Sequence, residues 1–132
     1  MRNILFRGKS VKSNCWAYGV PIKNGEKTYI LCDIDILKDK YFYSEVIPET
    51  VGQFIGLTDK NGKKIFEGDI IKDKELPRIY MIGYNEELMK YAFLYYHKEL
   101  KNIYCGGFVS KTDGKSIEVI GNIHDNSELL EE

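Results

Sequence analysis

The chain has 132 residues and a formal net charge of −1, with only two alanines against 16 isoleucines, 10 tyrosines and 6 phenylalanines. That length fits one domain, or one with a small extension, and a hydrophobic content of 43% excludes global disorder. A near-neutral charge removes the strong expectation of nucleic acid that a basic domain carries, and no apolar run approaches the roughly 18 residues needed to span a bilayer.

β-branched and aromatic side chains suit a pleated, half-buried surface, whereas helix interiors favour alanine. The composition therefore points to a mainly β chain, although 16 lysines against 3 arginines also fit codon bias in an AT-rich genome. Residues 2–7 (RNILFR) read as a first strand and GKSVKSN as a turn-like stretch. Residues 15–22 return as a second strand that places Trp16, Tyr18 and Val20 on one face by period two. Asn24-Gly25 is a strong hairpin signal before a third strand at 27–33. YFYSEVI (41–47) is strand-like and closed by Pro48, and VGQFIG (51–56) reads as a short strand between glycines.

The stretch 57–73 holds two turns, one at Asp59, Asn61 and Gly62 and one at Gly68-Asp69, with Ile65-Phe66 between them and Ile70-Ile71 opening a strand. A Gly-Asp turn leading into a β-branched pair is common at the first strand of small SH3-like barrels. Residues 78–96 read as a hairpin. A helix over 86–101 competes with it, because Leu88, Tyr91, Ala92 and Tyr95 follow helical spacing. Residues 97–115 are polar and glycine-containing and read as an elaborated loop. SIEVIGNI (116–123) is the last strand, and Asn126 or Ser127 caps at most two turns of helix in the tail.

The run EVIPETVGQFIGLTDKNGKKIFEGDIIK, with EVIGNIHDNSELL near the C-terminus and MRNILFR at the start, resembles the YopX-like family of phage and prophage proteins. The likeness spans nearly the whole chain and is weakest at 74–115. Gly8, Lys9 and Ser10 stand where that family often has a tryptophan and an aspartate, and Ser127 stands where it often has a proline. The resemblance implies a β-rich fold with an SH3-like barrel and a phage or prophage setting. It implies no activity and supplies no functional residues. The expected organisation is a single compact unit over 1–132, with N-terminal strands at 1–50 and the barrel at 51–132 as its subdivision.

Few residues suggest chemistry. Cys15, Cys32 and Cys105 show no CxxC spacing, so they read as reduced thiols, most of them serving as small apolar residues. Asp59-Lys60-Asn61-Gly62 resembles part of a calcium loop, but with Gly62 sixth, the first and twelfth positions fall on Leu57 and Gly68, which supply no carboxylate. His97, His124, Cys105 and the Glu67/Asp69 pair are the only groups from which catalysis could be drawn. No metal or cofactor motif is present.

The aromatic residues form two clusters, Tyr41-Phe42-Tyr43 and Tyr91, Phe93, Tyr95 and Tyr96. Lys90 and Lys98 flank the second. Small barrels bind single strands or peptides on such surfaces, so Lys90, Tyr91, Phe93, Tyr95 and Lys98 are the candidate binding residues. Core and subunit packing is the commoner use of such aromatics. The preferred expectation is a cytoplasmic, non-enzymatic, self-associating binding or accessory module without cofactor or membrane partner. A nucleic-acid-binding accessory protein comes second and an enzyme last. Residues 1–40 carry 8 basic and 4 acidic side chains, and 41–132 carry 11 and 16, an asymmetry that suits head-to-tail contact or an anionic partner.

Overall fold

The structure, a computed structural model, describes residues 4–35, 37–76 and 78–131. The chain divides into two units, Met1–Phe54 and Ile55–Glu132. Among the described residues no helix is long and apolar enough to cross a membrane.

In the first unit, β1 (Phe6–Lys9), β2 (Trp16–Asn24), β3 (Lys27–Asp35) and β4 (Lys40–Val46) precede β5 (Gly52–Thr58), in the spatial order β4-β3-β2-β1-β5. All their pairings are antiparallel. The first two residues of the expected opening strand lie outside the described residues. The Asn24-Gly25 hairpin forms, but Asn24 pairs with Lys27, so Gly25-Glu26 occupies its tip. Gly25 there has φ +66, the positive value that a two-residue turn with glycine first requires.

Ile30, Val46, Thr28 and Phe54 are buried in this unit. Pro48 ends the strand run and opens a 3-10 turn, Pro48–Thr50. Thr50 Oγ1 accepts from the Lys9 amide at 2.8 Å and donates to Ile47 O at 2.6 Å, tying that turn to β1. Gly19, at φ +156, has the Leu31 carbonyl where a Cβ would stand, 1.9 Å away. The β2 and β3 backbones meet so closely that only glycine fits.

In the second unit, the end of β5 turns back into β6 (Lys64–Phe66). The strands β7 (Asp69–Asp73), β8 (Tyr80–Asn85), β9 (Lys90–His97), β10 (Asn102–Phe108) and β11 (Ile117–Asn122) form a sheet in the order β10-β9-β8-β7-β11. Its core joins Ile65, Ile71, Tyr80, Ile82, Phe93 and Ile117. Burying each such side chain contributes about 1.5–3 kcal/mol. No closed barrel is found among the described residues.

Residues 78–96 are a hairpin, and the helical alternative over 86–101 does not form. Ala92 and Phe93 are consecutive and both buried, which a strand covered on both faces achieves.

Residues 97–115 depart from the expected loop, because they contain β10. A register shift between Cys105 and Gly107 leaves Gly106 as the extra residue of a bulge. A Cβ on Gly106 would lie 2.6 Å from the Tyr80 ring. The glycines that resemble loop punctuation are what lets this strand lie against Tyr80. The tail forms a 3-10 turn, Ser127–Glu131.

Candidate functional site

The turn between β5 and β6 carries chemistry directed at folding. Asp59 is buried, and its Oδ1 accepts from the Asn61 and Lys63 amides at 2.9 Å each. Its Oδ2 accepts from the Val119 amide on β11 at 2.9 Å. Burial alone raises a carboxyl pKa, but these three amides and the Lys63 charge outweigh it and hold Asp59 below its ordinary value. Both oxygens are committed to backbone amides. Asp69 is likewise buried, with Oδ2 accepting from the Phe66 amide at 2.8 Å.

Of the candidate catalytic groups, His97 and Cys105 lie apart, whereas a Cβ on Gly68, between Glu67 and Asp69, would stand 3.7 Å from His124 Nε2. His97 pairs with Asn102 across β9 and β10, whereas Cys105 pairs with Leu94, which puts the two side chains on opposite faces of the sheet. His97 Nδ1 accepts from the Leu100 amide at 3.2 Å. His124 follows β11, in a turn where Asn122 Oδ1 accepts from the His124 and Asp125 amides at 3.0 and 2.9 Å. Among the described residues no three His, Cys, Asp or Glu side chains gather to hold a metal ion. The three cysteines are free and exposed rather than packed as small apolar residues. Cys15 precedes β2, Cys32 sits in a bulge of β3 and Cys105 lies on a strand at the end of its sheet.

Tyr91, Phe93 and Tyr95 share the core-facing side of β9. Phe93 is buried, and Tyr95 packs against the core with its ring 5.9 Å from Tyr80 at 88°. Tyr91 meets Tyr84 at 5.1 Å. Lys90 stands 5.6 Å from the Phe108 ring, and Arg78 lies 4.5 Å above Tyr95. Lys98 is exposed and borders a groove with Tyr96 on the other face of the sheet.

The first unit carries an open apolar surface. The register places Leu31 beside Val20, Tyr29 beside Ile22 and Tyr43 beside Leu31 on one face of β2, β3 and β4. Tyr18, Val20, Ile22 and Tyr43 on that face are between 44% and 61% exposed. Tyr29 and Tyr43 meet edge to face at 5.5 Å. One end of the face carries Lys27 and Glu45, 3.9 Å apart. At the other end, Arg7 is buried 4.4 Å over the Trp16 ring, with Lys9 at 5.9 Å. Alternation in 16–20 pointed to this face, but alternation alone does not tell a covered face from an open one.

The protein-family model described as YopX protein matches residues 5–131. The chain belongs to the YopX family. Among solved structures, this YopX-family chain is similar to protein EF1440 from Enterococcus faecalis, at 20% identity over 98% of this chain and 99% of that one, with a TM-score of 0.56. At that identity the likeness concerns the fold alone. No curated protein matches the YopX-family chain.

Proposed function

We propose that this YopX-family protein is a non-enzymatic, self-associating binding or accessory module of phage or prophage origin, acting in the bacterial cytoplasm, with an SH3-like barrel type of fold at 51–132. The observation that carries self-association is the open apolar face of β2, β3 and β4. Monomeric proteins rarely leave a contiguous apolar patch of more than a few hundred Å² in water. The face also suits a copy of itself. A two-fold axis through its centre brings the Lys9 end of one copy over the Lys27–Glu45 end of the other, so that each Lys9 meets a Glu45 carboxylate. The phage setting rests on the motifs shared with the family.

Sedimentation velocity across a broad concentration range tests this reading. The expected result is a mass above one chain, reduced to one chain in a Val20→Glu/Tyr43→Glu variant that keeps its β-sheet circular dichroism. A single-chain mass for the unaltered protein at every concentration overturns it.

A second reading has single-stranded nucleic acid stacking on Tyr18 and Tyr43, favoured by the cations over Trp16. The aliphatic Val20 and Ile22 at the centre of the face favour protein over bases. Salt-sensitive retention of an oligothymidine probe, lost in a Tyr18→Ala/Tyr43→Ala variant, would reverse that preference.

A further inference from the structure

A groove lies on the side of the five-stranded sheet away from its core. Met81, Tyr96 and Ile103 come from the adjacent strands β8, β9 and β10, and Ile123 and Leu130 border them. Its volume is about 710 Å³, within the range of ligand sites. Its polar lining is Ser127 with two cations, Lys98 and Lys101, which belong to the loop joining β9 to β10. No acidic side chain lines it among the described residues. Glu99 belongs to the adjoining depression, which also holds Arg78.

β10 is the last strand in its sheet order, and Ile103 on it is 52% exposed. Such a strand presents one row of backbone N–H and C=O groups outward, a template for another extended segment. The groove opens on the face that carries Ile103. Every second side chain of an added strand points toward that face.

We infer that the second unit binds an extended segment of a partner protein, added along β10, whose groove-facing side chains are aliphatic and, beside the β9–β10 loop, acidic. Backbone hydrogen bonds along the edge supply affinity that is independent of side chains, and the groove supplies selection. Aliphatic side chains enter between Ile103 and Leu130. Carboxylates meet Lys98 and Lys101, a complementarity that a basic or uncharged segment lacks. This site is separate from the self-association face, which lies in the first unit.

The probe is a fluorescein-labelled octapeptide with threonine at every second position and leucine, leucine, aspartate and aspartate in turn at the others, titrated into the full-length protein and followed by polarisation. Saturable binding is expected, weakened at least about tenfold by Ile103→Glu and by Lys98→Glu/Lys101→Glu, as loss of an anchoring contact gives. A peptide N-methylated at alternate amides should bind equally poorly, because it cannot complete the edge. Circular dichroism of each variant confirms that the sheet persists. The inference is overturned by no saturable binding, by equal affinity for the same peptide with lysine in place of aspartate, or by binding insensitive to N-methylation. It is also overturned if Ile103→Glu lowers the sedimenting mass of the protein itself, which would place a second copy on this edge.

Discussion

The carboxylate of Asp59 holds the amide of Val119, 60 residues later in the chain, at 2.9 Å. The same side chain closes its own turn through Asn61 and Lys63. One residue thus shapes the β5–β6 hairpin and fastens it to β11. Asp59→Ala leaves three amides without this acceptor and should cost about 3 kcal/mol. Asp59→Asn keeps one acceptor oxygen and should lose about half of that by the same argument. Urea unfolding of the three proteins orders them. Equal midpoints would remove the pivot role.

Acid should weaken the protein through the same residue. The folded Asp59 has its carboxyl lowered from an ordinary value of 3.8. A group depressed in the folded state contributes stability that is present above its unfolded pKa and is lost as pH falls through the folded one. Asp73 shifts in the same direction, through the Glu75 amide and the Ser116 hydroxyl. Unfolding free energy should therefore fall below about pH 4. Asp59→Asn should show a shallower fall than the unaltered protein. Parallel pH curves would exclude Asp59 as the source.

Gly19 has no room for even a methyl group. Gly19→Ala drives a Cβ toward the Leu31 carbonyl, a backbone atom that cannot rotate away. The expected cost is about 3 kcal/mol, at the severe end for adding one carbon. Hydrogen exchange should quicken at the amides of β2 and β3. Unchanged protection there would mean that the two strands separate without cost.

Met89 offers the opposite opportunity. It is 76% exposed and holds φ +53 in the β8–β9 turn. Met89→Gly relieves the left-handed strain while adding entropy to the unfolded chain, for a net gain of about 0.5 kcal/mol. Thermal unfolding should move upward by a few degrees at most. A fall in the midpoint would show that Met89 makes a stabilising contact.

Most of the strand order was legible because its signals are local. The hairpin at 24–27, the glycine turns at 62 and 68, and the β-branched run of the last strand expected at 116–123 each depend on neighbouring residues. β10 escaped because its evidence is not local. Its glycines look like loop residues until the Tyr80 ring, from another strand, is seen against Gly106. The aromatic clusters divided for a similar reason. Period two assigns Tyr91, Phe93 and Tyr95 to one face, but only the packing of β8 against β9 makes it the covered face. Tyr18 and Tyr43 share the same periodicity and remain open to water. The Asp59 carboxylate was read as turn chemistry, and its reach to Val119 is a tertiary fact that no spacing encodes.

The free thiols acquire a use from where they lie. Cys32 adjoins Leu31 on the strand that contributes to the self-association face, and Cys105 stands two residues from Ile103 on the groove strand. Each proposed surface thus has a built-in chemical footprint. Mass-resolved alkylation rates at Cys32 and Cys105, with Cys15 as internal standard, report separately which surface a partner shields, with no engineered label.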